Sequence, residues 1–131
     1  MADGISTYLS NQILNHLTSN NVWTPPPAIY AQLHVDVPGP LGLLWPSAGD
    51  TSRKLAVYAA STNNSAALLS TLGPWTSTAA TQETLAYVSF WDAVTGGNFL
   101  WSKKLPAPFT WSSGDVFSPA SATLSMAQLA A

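Results

Sequence analysis

Residues 87–101 constrain the fold of this chain more than any other stretch. Tyr87-Val88-Ser89-Phe90-Trp91 is apolar, aromatic and β-branched, and Phe99-Leu100-Trp101 resumes that character. Between them stand Thr95-Gly96-Gly97-Asn98, residues that tolerate the positive φ a reversal between two strands demands. The stretch predicts a β-hairpin whose turn is Thr95, Gly96, Gly97 and Asn98. Trp91 and Trp101 flank that turn and could face one another across it. Gly96-Gly97 follows a strand with no helix after it, so it is not a phosphate cradle.

The remaining segments extend the β pattern. Residues 28–35 alternate, with Ile29, Ala31, Leu33 and Val35 on one face and Tyr30, Gln32 and His34 on the other. Residues 55–60, 116–117 and 122–126 read as further short strands, while 65–72 suits either a strand or one helical turn. Residues 76–82 read as a surface loop. The long apolar connection 41–52, with Leu43-Leu44-Trp45-Pro46, is expected either to tuck under the fold or to form an exposed contact arm. Six to eight short strands separated by turn residues predict a mainly β protein, a single antiparallel β-sandwich or jelly-roll-like domain.

One helix precedes it. Ile5, Tyr8, Leu9, Ile13, His16 and Leu17 form an apolar stripe at helical spacing, with Asp3 or Ser6 as cap and Ser19-Asn20-Asn21 as the end. So short a helix is marginal alone in water, and its stripe must dock on the domain's own sheet or on a neighbouring subunit. Thr24-Pro25-Pro26-Pro27 then forms a stiff polyproline II spacer. The organisation expected is an N-terminal helix and arm over 1–22 and a β-sandwich over 23–131. Deleting 1–22 should leave the β domain folded.

Composition bounds the function. Only 8% of the 131 residues are charged and the formal net charge is −2, while six are tryptophan. An average soluble domain carries roughly a quarter charged residues. Few charges with abundant Trp fit a protein packed against other protein. Four basic residues, Arg53-Lys54 and Lys103-Lys104, are too few to track phosphates, so no nucleic-acid partner is expected. No apolar run is long enough for a membrane span. The start of the chain lacks the basic and apolar regions of a signal peptide, which predicts synthesis in a cytoplasm.

Catalytic chemistry is hard to assemble. Asp3, Asp36, Asp50, Glu83, Asp92 and Asp115 are scattered, and turn-capping roles suit Asp50, Asp92 and Asp115. His16 and His34 are the only histidines, and His34 with Asp36 lacks a third metal ligand at a telling distance. There is no Gly-x-Ser-x-Gly elbow. The reading is of a non-enzyme with no catalytic residues, metal or cofactor. Trp23 and Trp45, beside prolines, are the tryptophans most suited to anchoring a partner.

The order of segments resembles a family of small virion proteins of tailed double-stranded DNA phages, labelled tail fibre, minor tail or head-decoration proteins. The matching pieces are residues 8–17, 23–30, 33–39, 53–57, 88–101, 113–117 and the strand at Leu124; Asp92-Ala93-Val94-Thr95-Gly96-Gly97-Asn98-Phe99-Leu100 is the most specific. The chain departs from the pattern over 41–52 and 103–111. The resemblance implies a structural component of the virion, assembled in the host cytoplasm. The role placed first is a capsid decoration protein bound to the major capsid protein, to copies of itself, or both. A minor tail or fibre-associated protein is the alternative. A carbohydrate-binding module stacking a glycan on Trp45, Trp75 or Trp111 is the alternative of another class. The expected contact residues are Tyr8, Leu9, Ile13, Leu17, Trp23, Leu44 and Trp45.

Overall fold

The computed structural model describes residues 4–125. Asp3, one candidate cap, and Met126, the end of the last expected strand, lie outside the described residues. In chain order the elements are β1 (Gly4–Ile5), α1 (Thr7–Thr18), β2 (Ile29–His34), β3 (Lys54–Ala56), β4 (Ser65–Ala66), β5 (Trp75–Thr76), β6 (Glu83–Trp91), β7 (Phe99–Trp111), β8 (Val116–Phe117) and β9 (Leu124–Ser125). Five strands form one antiparallel sheet in the order β1-β7-β6-β2-β3; β4 pairs with β9 and β5 with β8. The sheet does not close into a barrel, and the arrangement is mainly β and sandwich-like, with a single helix among the described residues.

The predicted core face of β2 is borne out. Ala31 lies opposite Phe90 and Leu33 opposite Val88. Phe90 in turn lies opposite Trp101, with the two rings stacked at 4.5 Å. Tyr58 meets both rings edge-on, and Leu72, Trp75, Leu85, Leu100, Leu105 and Trp111 complete one buried cluster. The two-stranded ribbons contribute Trp75, Phe117 and Leu124 to it, so they close the sheet's core face.

The hairpin is present, but Trp91 and Trp101 do not meet. The register shifts between Phe90 and Trp91, so Phe90 pairs with Trp101 and Trp91 with Phe99. The extra residue is Leu100. Adjacent strand residues point to opposite faces, which sends Trp91 to the face away from the core. There it rests against Phe99, ring centroids 5.5 Å apart. Residues 76–82 are not wholly surface either, because Ser77 is buried.

That second face is also covered. His34, Ser89 and Ser102 on it are buried, although alternation alone assigns it to solvent. The cover is the connection after β2. Val35 N–H donates to Trp45 O at 2.9 Å, Ser47 N–H to Leu33 O at 3.0 Å and Leu44 N–H to Pro38 O at 2.9 Å. These bonds fold the segment back along β2. Gly42, at φ +72°, lies against Phe99; a Cβ there would stand 2.6 Å from the ring, so only glycine permits this approach.

The helix docks at home by its first half. Ser6 Oγ accepts from Leu9 N–H at 3.0 Å, and Ser6 N–H donates to Leu100 O at 2.8 Å, which ties the cap to β7. Leu9 is buried in the core and Tyr8 and Ile13 pack against it. Leu14 and Leu17, one turn further along, are exposed.

Candidate functional site

Three polar side chains hold the segment from Asp36 to Ser52 against the sheet. The first is His34, which is fully buried. Its Nδ1 lies 2.7 Å from Leu44 O, and its Nε2 lies 2.7 Å from Ser89 Oγ. A carbonyl oxygen only accepts, so Nδ1 carries the proton and Nε2 accepts from the Ser89 hydroxyl. Ser89 Oγ accepts in turn from Trp91 Nε1 at 2.8 Å. The series from indole to hydroxyl to imidazole to carbonyl is complete, with every donor matched. Burial pushes the His34 pKa below the ordinary histidine value, outweighing the Leu44 carbonyl, and the nearby Arg53 charge acts in the same direction as burial.

The second is Glu83. Its Oε1 accepts from Ser47 Oγ, from Gly49 N–H at 2.9 Å and from Trp111 Nε1 at 2.9 Å, and its Oε2 accepts from Ala48 N–H at 3.0 Å. Burial alone would raise its pKa, but the four donors together hold the carboxyl below the usual glutamate value. One charged side chain at the start of β6 thus fastens the far end of the segment.

The third is Arg53. Its guanidinium lies 3.8 Å from the Trp91 ring centroid, donates from Nη1 to Ala93 O at 2.8 Å and Gly96 O at 2.7 Å, and donates from Nε to Gln32 Oε1 at 3.1 Å. It clasps the hairpin turn. Asp92 closes the same turn by accepting from Asn98 N–H at 2.6 Å and Asn98 Nδ2 at 2.8 Å. Gly96 and Gly97 both take the predicted positive φ, +65° and +71°.

With its backbone held, the segment turns its apolar side chains outward. Leu41, Leu43, Leu44 and Trp45 are exposed, Trp45 by 59%. Trp45 also has φ +54°, a conformation a bulky side chain rarely takes. A groove of about 420 Å³ is lined by Leu41 and Leu43 together with Tyr8, Gly97 and Asn98.

The expected contact residues therefore part into two groups. Leu9 is a core residue of the domain itself, and Tyr8, Ile13 and Trp23 are partly buried against that core. Leu17, Leu44 and Trp45 remain accessible. Of the three tryptophans suited to stacking a sugar, Trp75 and Trp111 are completely buried and only Trp45 is open. The reason is that Trp75 and Trp111 fill the core beneath the short strands. Arg53, Glu83 and the His34–Ser89 pair were not singled out as a site from the sequence. The available signal was a row of small or polar residues, Gln32, His34 and Ser89, alternating with large apolar ones on neighbouring strands.

Among the described residues, no group of three His, Cys, Asp or Glu side chains is placed to hold a metal ion. No described helix is long and apolar enough to cross a membrane.

No curated protein matches this chain. A family profile described as podophage GP4 fiber I protein gp80 matches residues 4–127, which spans the helix, the central sheet and the ribbons. The chain belongs to the podophage GP4 fiber I protein gp80 family and is a phage virion structural protein.

Proposed function

We propose that this protein is a fibre-associated subunit of the virion that acts by binding other virion protein, not by catalysis. Its contact element is the apolar loop Leu41, Leu43, Leu44 and Trp45. The observation that carries the reading is Trp45: a large aromatic held at φ +54° with its side chain in solvent. Positive φ costs a non-glycine residue about 1–2 kcal/mol. The Trp45 backbone serves the fold through its bond from Val35 N–H, but its exposed indole does not, and an interface gives that side chain a use. Rigid presentation lowers the ordering cost of binding, because the loop's backbone is bonded before the partner arrives.

The chemistry of the polar groups agrees with a role in contact. Glu83, Asp92, His34 and Arg53 are each occupied in fixing the fold. The partner fitting the surface is an apolar patch on another virion protein or on a copy of this chain. The family's description as a fibre protein favours a place in the fibre or tail apparatus over one on the capsid shell.

Imaging intact particles tests both parts. Density for this chain at the fibre or tail, with residues 41–45 against a neighbour, is the expected result. Density on the shell alone would overturn the fibre placement in favour of capsid decoration. Density with the loop facing solvent would overturn the contact assignment. A glycan that bound purified protein through Trp45 would do so as well.

A further inference from the structure

We propose that the contact loop is a latch opened by acid, with His34 as the group whose protonation releases it. The inference rests on the contact role of residues 41–45 and adds its regulation.

The geometry leaves His34 no place for a second proton. Its Nδ1–H is committed to Leu44 O and its Nε2 accepts from Ser89 Oγ, both at 2.7 Å in a fully buried site. A proton on Nε2 would displace the Ser89 hydroxyl hydrogen. That hydrogen could not turn back to Trp91, whose indole Nε1 is itself a donor to Ser89 Oγ. Protonation therefore creates a buried cation together with a donor that has lost its acceptor, and both are costly away from water.

Among the described residues no carboxylate offsets the charge; only the Leu44 and Trp45 carbonyls favour it, and burial outweighs them. From the segment before β3, Arg53 opposes it. Opposite on β6 stands Tyr87, and next across on β7 stands Lys104. Asp36, two residues beyond on the covering segment, is exposed, and Glu83 is engaged with Ser47, Ala48, Gly49 and Trp111. Neither His34 ring nitrogen is bonded to a carboxylate.

Relief comes by admitting water, and the covering segment is the nearest lid. Leu44, whose carbonyl holds Nδ1, belongs to the exposed loop, and Trp45 O next to it holds Val35 N–H. Opening there hydrates the imidazolium while the central strands keep their ladder. It also discharges the backbone strain at Trp45. The loop then loses the fixed presentation that its contact role requires.

Amide hydrogen exchange on the isolated wild-type protein, normalised to unfolded-chain rates at each pH, tests the latch. The range should stay between pH 7.5 and 5, above the titration of Glu83. The expected result is that protection at Val35 and Leu44 falls, approaching tenfold per pH unit for a single proton, while protection along β6 persists. The ¹⁵N shifts of the His34 ring should show the Nδ1–H neutral form at pH 7.5 and protonation at the same midpoint as loop opening. Unchanged protection at Val35 and Leu44 would overturn the proposal. So would loss in step with β6, or a ring that stays neutral while the loop opens. Particle incorporation of a Trp45→Ser variant reports separately on docking, since the loop can open with or without a partner.

Discussion

The Arg53 guanidinium lies over Trp91 and also caps two carbonyls of the turn that follows Trp91, those of Ala93 and Gly96. A planar fork can do both at once; an ammonium cannot. Arg53→Lys keeps the charge and loses the geometry, so it should destabilise by about 1–2 kcal/mol. Arg53→Ala should cost more. Urea midpoints of the two variants check the order, and equal stability of wild type and lysine variant would show that the fork does not matter.

The two turn glycines separate backbone strain from steric contact. A Cβ on Gly96 would meet nothing within 4 Å, so Gly96→Ala carries only the positive-φ penalty, about 1 kcal/mol. A Cβ on Gly97 would collide with the Asp92 carboxylate and stand 2.7 Å from Ala93 Cβ. Asp92 cannot move without releasing Asn98. Gly97→Ala should therefore be the more damaging by thermal denaturation. The reverse order would contradict the Asp92–Asn98 closure.

These features also mark how far the sequence could be read. The hairpin, its positive-φ glycines and the helix were legible because each follows from residues within one or two turns of the chain. The β2 core face was legible from alternation. The covered second face was not, because it depends on pairs far apart in sequence: His34 with Ser89, Ser47 with Glu83, Arg53 with Ala93. Nothing in residues 36–52 announces that their carbonyls and amides will be met by those side chains. Likewise one inserted residue, Leu100, decides that Trp91 is paired with Phe99, and register of that kind leaves no local signature.

The helix belongs to the core more than its position at the chain's start suggests. Leu9 is buried while Leu17 is 78% exposed. Leu9→Ala should destabilise by about 2–4 kcal/mol, whereas Leu17→Ala should stay within about 0.5 kcal/mol. Removing residues 1–22 strips out Leu9, the Ser6–Leu100 bond and β1 together, and the remaining β domain should melt at lower temperature. An unchanged melting temperature would mean the helix contributes nothing to the core.

Acid should destabilise the fold in two stages. His34 and Glu83 both have folded-state pKa values below their ordinary ones. In each window the unfolded chain takes the proton first, so stability falls as pH falls. The His34 stage begins below the ordinary histidine value of 6.5. The Glu83 contribution is complete above the ordinary value of 4.5 and is lost as pH drops through the lower folded value. His34→Asn should flatten the first stage. Glu83→Gln should remove the second and, by placing an amide among four donors, cost about 1–3 kcal/mol at neutral pH. Denaturant midpoints across pH 7.5 to 3 check both, and a flat profile in the wild type would refute the assignment.

Trp45 allows stability and function to be set against each other in one residue. Glycine takes φ +54° freely, so Trp45→Gly relieves about 1–2 kcal/mol of strain. It returns roughly 0.5–1 kcal/mol through the freer unfolded chain. The side chain is 59% exposed, so removing it also gives up the burial of the rest, about 1–2 kcal/mol. The net expectation is a stability from about that of the wild type to about 2 kcal/mol below it. If Trp45 anchors a partner, that same variant should enter particles less efficiently, because the anchor is gone from an intact loop. Trp45→Ala removes the side chain but keeps the strain, and should match the glycine variant in incorporation while falling below it in stability. Incorporation of both at wild-type levels would show that the tryptophan is not a contact. A glycine variant clearly more stable than the wild type would show that the covered part of the indole contributes less than its area suggests.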